Sequence, residues 1–154
     1  MSETIHIRYI DETLPRLAHV GGSAKSNWID LYCAEAVTLK RGENARISLG
    51  VAMKLPEGYE AHVVPRSSTF KKWGVLQVNS VGIIDSSYCG PNDAWCLWVY
   101  ATRDTVISKG DRLCQFRIEK RQPDVEFVES DLGGEADRGG FGTTGSHMSD
   151  GGTH

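Results

Sequence analysis

Asp85 and Tyr88 stand three residues apart in Asn79–Gly90, NSVGIIDSSYCG, where Ile83 and Ile84 run straight into the carboxylate. A loop of this kind can set one carboxylate and one aromatic ring side by side in a pocket. The bland reading is a surface β-turn in which Asp85, Ser86 and Ser87 serve turn propensity alone. A second candidate is Pro65-Arg66-Ser67-Ser68. Here an arginine precedes a serine able to cap a short helix over residues 69–73, which Gly74 would stop, and a cation beside open backbone N–H groups suits an oxyanion. A plain capped turn between strands is the commoner use of such a serine. The third candidate is Gly139–Gly145, GGFGTTG, preceded by Arg138. It offers small residues, backbone N–H groups, two hydroxyls (Thr143 and Thr144) and a cation, which is what a phosphate cradle needs. No lysine follows the glycines, so it is not a Walker loop. Phe141 is the informative residue, because a ring in a glycine-rich tail can close over a base, whereas simple disorder leaves it unexplained.

These residues must be held by strands. Ile5, Ile7 and Tyr9 alternate with polar neighbours, residues 28–31 and 37–39 form short apolar stretches, and Ala45, Ile47, Leu49 and Val51 alternate as one half-buried strand. Tyr59, Ala61 and Val63 repeat the pattern after the turn Pro56-Glu57-Gly58. The strand entering the Asp85 loop covers residues 75–78. The one leaving it, Trp95–Ala101 (WCLWVYA), is apolar on both faces and reads as central and doubly covered. Residues 112–118 put Cys114, Phe116 and Ile118 on one face and Leu113, Gln115 and Arg117 on the other, and Val125, Phe127 and Val128 suggest a last short strand. Many short strands, close turns and one helix indicate an all-β sandwich or barrel-like fold. From Ser130 glycine becomes dense and apolar periodicity stops. The chain therefore divides into a β domain over 1–130 and a glycine-rich arm over 131–154, with a motif at 138–145 and the remainder of the arm reading as disordered.

A chain of 154 residues fits one domain with a tail. Its net charge of −3 and the lack of a Lys/Arg-rich run argue against direct nucleic-acid binding. An anionic substrate would have to meet local cations or a metal ion. No apolar run approaches a membrane span, and the N-terminus MSETIHIRYIDE lacks a signal pattern. Cys33, Cys89, Cys96 and Cys114 form no CxxC pair. They read as small core residues in a reducing compartment, which points to the cytoplasm.

Taken together, Asp30-Leu31 within WIDLYCAE, Pro65–Ser68, Asn79–Gly90, Gly110–Gln115 within KGDRLCQF, and Arg138–Gly145 resemble, in order, the five motifs of the trimeric all-β dUTP diphosphatase (dUTPase) family. The resemblance implies a distorted jelly-roll subunit with a flexible C-terminal arm. It implies a homotrimer whose active sites each draw on three chains, the arm of one closing over a site formed by the others. The implied reaction is hydrolysis of dUTP to dUMP and diphosphate by water attack at the α-phosphorus, with Mg2+ held mainly by the triphosphate and no direct protein ligand. That reaction limits uracil in DNA and supplies dUMP for dTMP synthesis. Asp85 matches the carboxylate that orients and deprotonates the water, and Tyr88 the ring packed on the deoxyribose. Asn79 with the backbone around Ile83 and Ile84 would read the uracil edge. Arg66, Ser67, Ser68 and Gln115 would hold the α- and β-phosphates. Arg138, Thr143 and Thr144 fall to the γ-phosphate, with Phe141 on the base and Gly142 between them. Asp30 would support the metal's water shell or an inter-subunit contact.

Two departures stand out. The second motif ends Ser67-Ser68 where the family usually has serine then glycine, and Arg138 lies three residues before Phe141 where five is usual. The enzymatic alternative is dCTP deaminase, which shares the fold and an RSS-type second motif. It uses a glutamate in the strand after the Asp loop, and Trp95–Ala101 carries no carboxylate. The other alternative is a dUTP-sensing binding protein with a regulatory protein partner.

Overall fold

The structure is a computed structural model that describes residues 2–18, 20–21 and 25–141. It divides into two units, Met1–Gln122 and Pro123–His154. In chain order the first holds β1 (His6–Tyr9), β2 (Ile29–Leu31), β3 (Val37–Leu39), β4 (Asn44–Ser48), β5 (Val51–Lys54), β6 (Tyr59–Pro65), α1 (Thr69–Trp73), β7 (Val75–Gln77), β8 (Gly82–Ile84), β9 (Cys96–Ala101), β10 (Thr105–Ile107) and β11 (Cys114–Lys120). One sheet runs β2-β11-β6-β8 and another β4-β9-β7, while β1 pairs with β5 and β3 with β10. This is an all-β sandwich of the jelly-roll kind with one short helix. Among the described residues, no helix is long and apolar enough to cross a membrane.

The longest ladder, β11 on β6, runs from Cys114 opposite Pro65 to Lys120 opposite Tyr59. Alternation sends Cys114 and Phe116 inward with Ala61 and Val63 from β6, all essentially without solvent contact. Phe116 meets the fully buried Trp95 edge-to-face at 5.1 Å between ring centroids, a favoured aromatic geometry at the centre of the core.

Several expectations are corrected here. Residues 45–51 are not one strand. The chain leaves β4 at Ser48 and enters β5 at Val51, and the two pair with different partners, β9 and β1. The break falls at Gly50, whose φ of +68° only glycine adopts without strain. β9 is not covered on both faces within the chain. Leu97, Val99 and Ala101 are buried, but Cys96, Trp98 and Tyr100 face outward. Leu113 is fully buried rather than on the outer face with Gln115, because it precedes β11 and the alternation does not yet govern it. Only Cys33 and Cys114 are core thiols, whereas Cys89 and Cys96 are exposed. Burial pushes Cys33 up to about 12 and Cys114 well above the ordinary thiol value, so both stay protonated.

In the second unit, residues 123–141 form no helix or strand. The strand expected at 125–128 is absent, and Val125, Phe127 and Val128 are exposed, Phe127 by 94%. Alternating apolar residues make a strand only when a neighbour completes the ladder. Residues 142–154, including the part of the arm beyond 145 that reads as disordered, lie outside the described residues.

Candidate active site

Strand register assembles the first group of candidates. β11 lies between β2 and β6, so Gln115 is directly opposite Asp30 on one side and Val64 on the other. Asp30, Gln115 and the exit of β6 at Pro65 therefore share one end of the sheet. Gln115 Nε2 donates to the Pro65 carbonyl at 3.3 Å. The Arg66 backbone N–H donates to the Leu113 carbonyl at 3.1 Å and to Thr69 Oγ1 at 3.0 Å, and the Thr69 hydroxyl donates onward to the Leu113 carbonyl at 2.5 Å. Thr69, the one buried polar side chain among the described residues, thus locks the Arg66–Ser68 turn to the strand that carries Gln115.

The expected serine cap is absent. Ser68 has helical torsions (φ −90°, ψ −7°) and makes no side-chain cap, so its hydroxyl is not committed to the helix. Gly74 does stop the helix, in the left-handed region, with its N–H on the Phe70 carbonyl at 2.7 Å.

Asp30 binds two arginines. Its Oδ1 lies 3.1 Å from Arg66 Nε and its Oδ2 lies 3.2 Å from Arg112 Nη1, while Arg66 Nη1 donates to the Arg112 carbonyl at 3.1 Å. Two cations share one carboxylate, which leaves a local positive excess in an acidic protein, beside the exposed hydroxyl of Ser67. An anionic substrate reaching this end of the sheet would meet a local cation. Arg112 has no role in the sequence reading; it sits inside the Gly110–Gln115 motif, but a charge opening the strand expected over 112–118 reads as solvated surface. Its partnership with Asp30 is visible only through the register.

The second group sits on the β7–β8 excursion. β7 and β9 pair as its base, with Gln77 opposite Val99, and β8 crosses to pair with β6, Gly82 opposite Val63 and Ile84 opposite Ala61. A Cβ on Gly82 would lie 3.3 Å from both Val63 Cβ and Gln77 Nε2, so a larger residue would press β8 away from β6. Ile84 packs on the core and Ile83 points outward, 51% exposed. Asn79 and Asp85 are exposed. Asp85 to Tyr88 is a β-turn, the Tyr88 N–H on the Asp85 carbonyl at 3.0 Å. The surface-turn reading is thus right for the backbone. The turn leaves the Asp85 carboxylate open and the Tyr88 ring 41% exposed, its hydroxyl donating to the Ala94 carbonyl at 2.9 Å.

The two groups do not meet within one chain. Arg66 lies three residues beyond Val63 along β6, and Asp85 lies three residues beyond Gly82 in the opposite direction. At ~3.3 Å per residue the register holds them about 20 Å apart. In the second unit Gly139, Gly140 and Phe141 all have positive φ, and Arg138 and Phe141 are exposed. Gly142, Thr143 and Thr144 lie outside the described residues. Among the described residues no three His, Cys, Asp or Glu side chains converge as a metal cage. The one carboxylate placed beside Arg66, that of Asp30, has both oxygens on arginines, so a metal there would have to bring most of its oxygen ligands with it.

The dUTPase family model matches residues 21–145. The chain is 56% identical over 142 residues to the SPbeta prophage-derived deoxyuridine 5'-triphosphate nucleotidohydrolase YosS of Bacillus subtilis, covering 92% of this chain and 98% of that protein. It is 37% identical over 156 residues to the deoxyuridine 5'-triphosphate nucleotidohydrolase of Leifsonia xyli subsp. xyli, covering 100% and 99%. Among solved structures, the dUTPase of Staphylococcus bacteriophage 80alpha with dUPNHPP superposes with a TM-score of 0.75 at 21% identity, over 94% of this chain and 99% of that one. A mutant dUTPase from phage phi11 of S. aureus, described with a structural Mg(II) ion, gives 0.70 at 22% identity over 83% and 98%.

Proposed function

The chain belongs to the dUTPase family, and from that premise we propose that it hydrolyses dUTP to dUMP and diphosphate at sites shared between copies of itself in a homotrimer. The observation that carries the shared site is the separation of about 20 Å between Asp85 and Arg66 along β6. A carboxylate that activates water at an α-phosphorus must lie within one water molecule of it. The groups holding the same and the adjacent phosphate must lie equally close, so one chain supplies half of each. The outward face of β9, where Trp98 and Tyr100 stand beside Leu76 of β7, offers apolar surface of the kind that assembly covers.

Asp85 holds the attacking water and takes its proton. A bond forms from the water oxygen to the α-phosphorus, the α–β bridging bond breaks, and diphosphate leaves with that electron pair. A positioned base supplies roughly 10²–10⁴-fold, and the rest comes from alignment and charge neutralisation. Arg66, with Ser67, Ser68 and Gln115, holds the α- and β-phosphates, and Arg112 adds a second cation at that end. Mg2+, when it arrives on the triphosphate, supplies further neutralisation of the leaving diphosphate. Asn79 and the backbone at Ile83 and Ile84 read uracil, and Tyr88 walls the deoxyribose. Residues 131–154, with Arg138, Phe141, Gly142, Thr143 and Thr144, act as an arm that closes on the base and γ-phosphate, and the β domain acts as the unit that trimerises. Diphosphate release from dUTP, measured against dTTP, dCTP and UTP, tests the reading. Turnover confined to dUTP is expected, and ammonia from dCTP would replace it with deamination.

A further inference from the structure

The loop that follows Tyr88 is braced more heavily than a turn requires. The Tyr88 ring spans it: the backbone N–H is bound to the Asp85 carbonyl at 3.0 Å, and the hydroxyl donates to the Ala94 carbonyl at 2.9 Å on the returning limb. Desolvation, with the Asp93 charge second, raises the Tyr88 hydroxyl further above its ordinary value, so it remains a donor. Beneath that contact is a clip. Asp93 Oδ2 accepts the Gly90 N–H at 2.8 Å, and the Asp93 N–H donates to the Gly90 carbonyl at 3.1 Å. Arg8, on the distant β1, donates from Nη1 to Asn92 Oδ1 at 2.9 Å and to the Pro91 carbonyl. One residue past Ala94 the chain enters the core at Trp95, whose N–H is on the Val51 carbonyl at 2.9 Å. These contacts together fix the carbonyl that holds the Tyr88 hydroxyl, while the ring itself remains 41% exposed.

We propose that Asp93, seconded by Arg8, is a positioning residue for sugar selection, clipping the loop so that the Tyr88 ring is a stiff wall against a ribose 2′-hydroxyl. The inference rests on the reading of Tyr88 as the deoxyribose wall and adds what makes that wall effective. Rejection of an added hydroxyl by an apolar surface is steric and reaches only about 10²-fold. A ring free to tilt would lose much of it, whereas a ring pinned at both ends keeps it. Neither Asp93 nor Arg8 needs to touch the nucleotide.

The test is kcat/KM for dUTP and for UTP in the full-length protein and its variants. Asp93→Ala is expected to lower the dUTP:UTP ratio roughly 3–10-fold, the scale of one lost hydrogen bond, chiefly through a gain on UTP. Asp93→Asn keeps an acceptor for the Gly90 N–H and should hold the ratio. Gly90→Ala would place a Cβ 2.8 Å from Asp93 Oδ2 and should act like Asp93→Ala. A purely structural role would depress both substrates equally, and that result, or an unchanged ratio in both disruptive variants, overturns the proposal. Should both fold poorly, Tyr88→Phe removes only the tether and reads the same ratio. Tyr88→Ala separates the two levels. If it too keeps the ratio, the sugar wall lies elsewhere and the reading of Tyr88 falls; if it collapses the ratio while Asp93→Ala does not, only the bracing falls.

Discussion

Asp30 illustrates how a residue's role follows from what its oxygens touch. The family resemblance assigns it to the metal's water shell or an inter-subunit contact, yet both oxygens are engaged by Arg66 and Arg112. Each pair is partly exposed and worth about 1 kcal/mol or less in stability, so the contact matters more for aiming Arg66 than for folding. Asp30→Asn is therefore expected to raise KM for dUTP several-fold and leave the Mg2+ midpoint of activity where it was. A shifted Mg2+ midpoint would return Asp30 to the metal. Asp11 gives the pH counterpart. Hydrogen bonding from Lys109, 2.8 Å away, and then from Thr13, lowers its carboxyl from 3.8 to about 2. A depressed carboxyl stabilises the fold above its unfolded value, and that contribution disappears as pH falls from about 4 towards 2. Thermal melts across that window should show a shallower acid limb in Asp11→Asn than in the wild type, and the difference should shrink with salt.

At the scale of elements, periodicity locates most strands, and it fails where a side chain's environment depends on something other than its neighbours in sequence. β6 and β11 are legible because their alternation matches one buried face. β9 reads as covered on both sides because Trp98 and Tyr100 present large rings in alternation with Leu97 and Val99; composition cannot tell a face buried in the chain from one left exposed. The unbroken reading of residues 45–51 fails because Leu49 keeps the alternation going while Gly50 turns the chain into a different ladder. That turn has a measurable consequence. A Cβ on Gly50 would stand 2.6 Å from Leu14 Cδ1 and 3.0 Å from Ala34 Cβ, at a φ of +68°. Backbone strain and overpacking together should cost Gly50→Ala roughly 2–4 kcal/mol. The melting temperature should then drop by about 5–10 °C, read by calorimetry, with the kcat of the surviving folded protein unchanged. A melting point within a degree of wild type would mean the corner between β4 and β5 relaxes freely.

At the scale of the molecule, motif order in the chain says which parts a site would have but not whether one copy supplies them all. Asp85 and Arg66 are neighbours in any list of the site's residues, and the β6–β8 register holds them about 20 Å apart. The sequence between them carries no trace of that distance, because it is set by the direction in which β8 is laid against β6. If each site takes its Asp85 loop from one copy and its Arg66 turn from another, two crippled chains can repair each other. On the proposed mechanism Asp85→Asn removes the base, and Arg66→Ala removes the phosphate ligand and leaves Asp30 with Arg112 alone. Each alone should lose nearly all turnover. Unfolding and refolding the two together yields mixed trimers, in which some sites pair an intact Asp85 loop from the Arg66→Ala chain with an intact Arg66 turn from the Asp85→Asn chain. Activity should reappear in the mixture, rising and falling with the product of the two fractions, and should be absent when the two are mixed without unfolding. Native mass spectrometry would establish that mixed trimers formed. Mixed trimers with no recovered activity would mean that each chain completes its own site, and the β6–β8 register would then have to change on assembly.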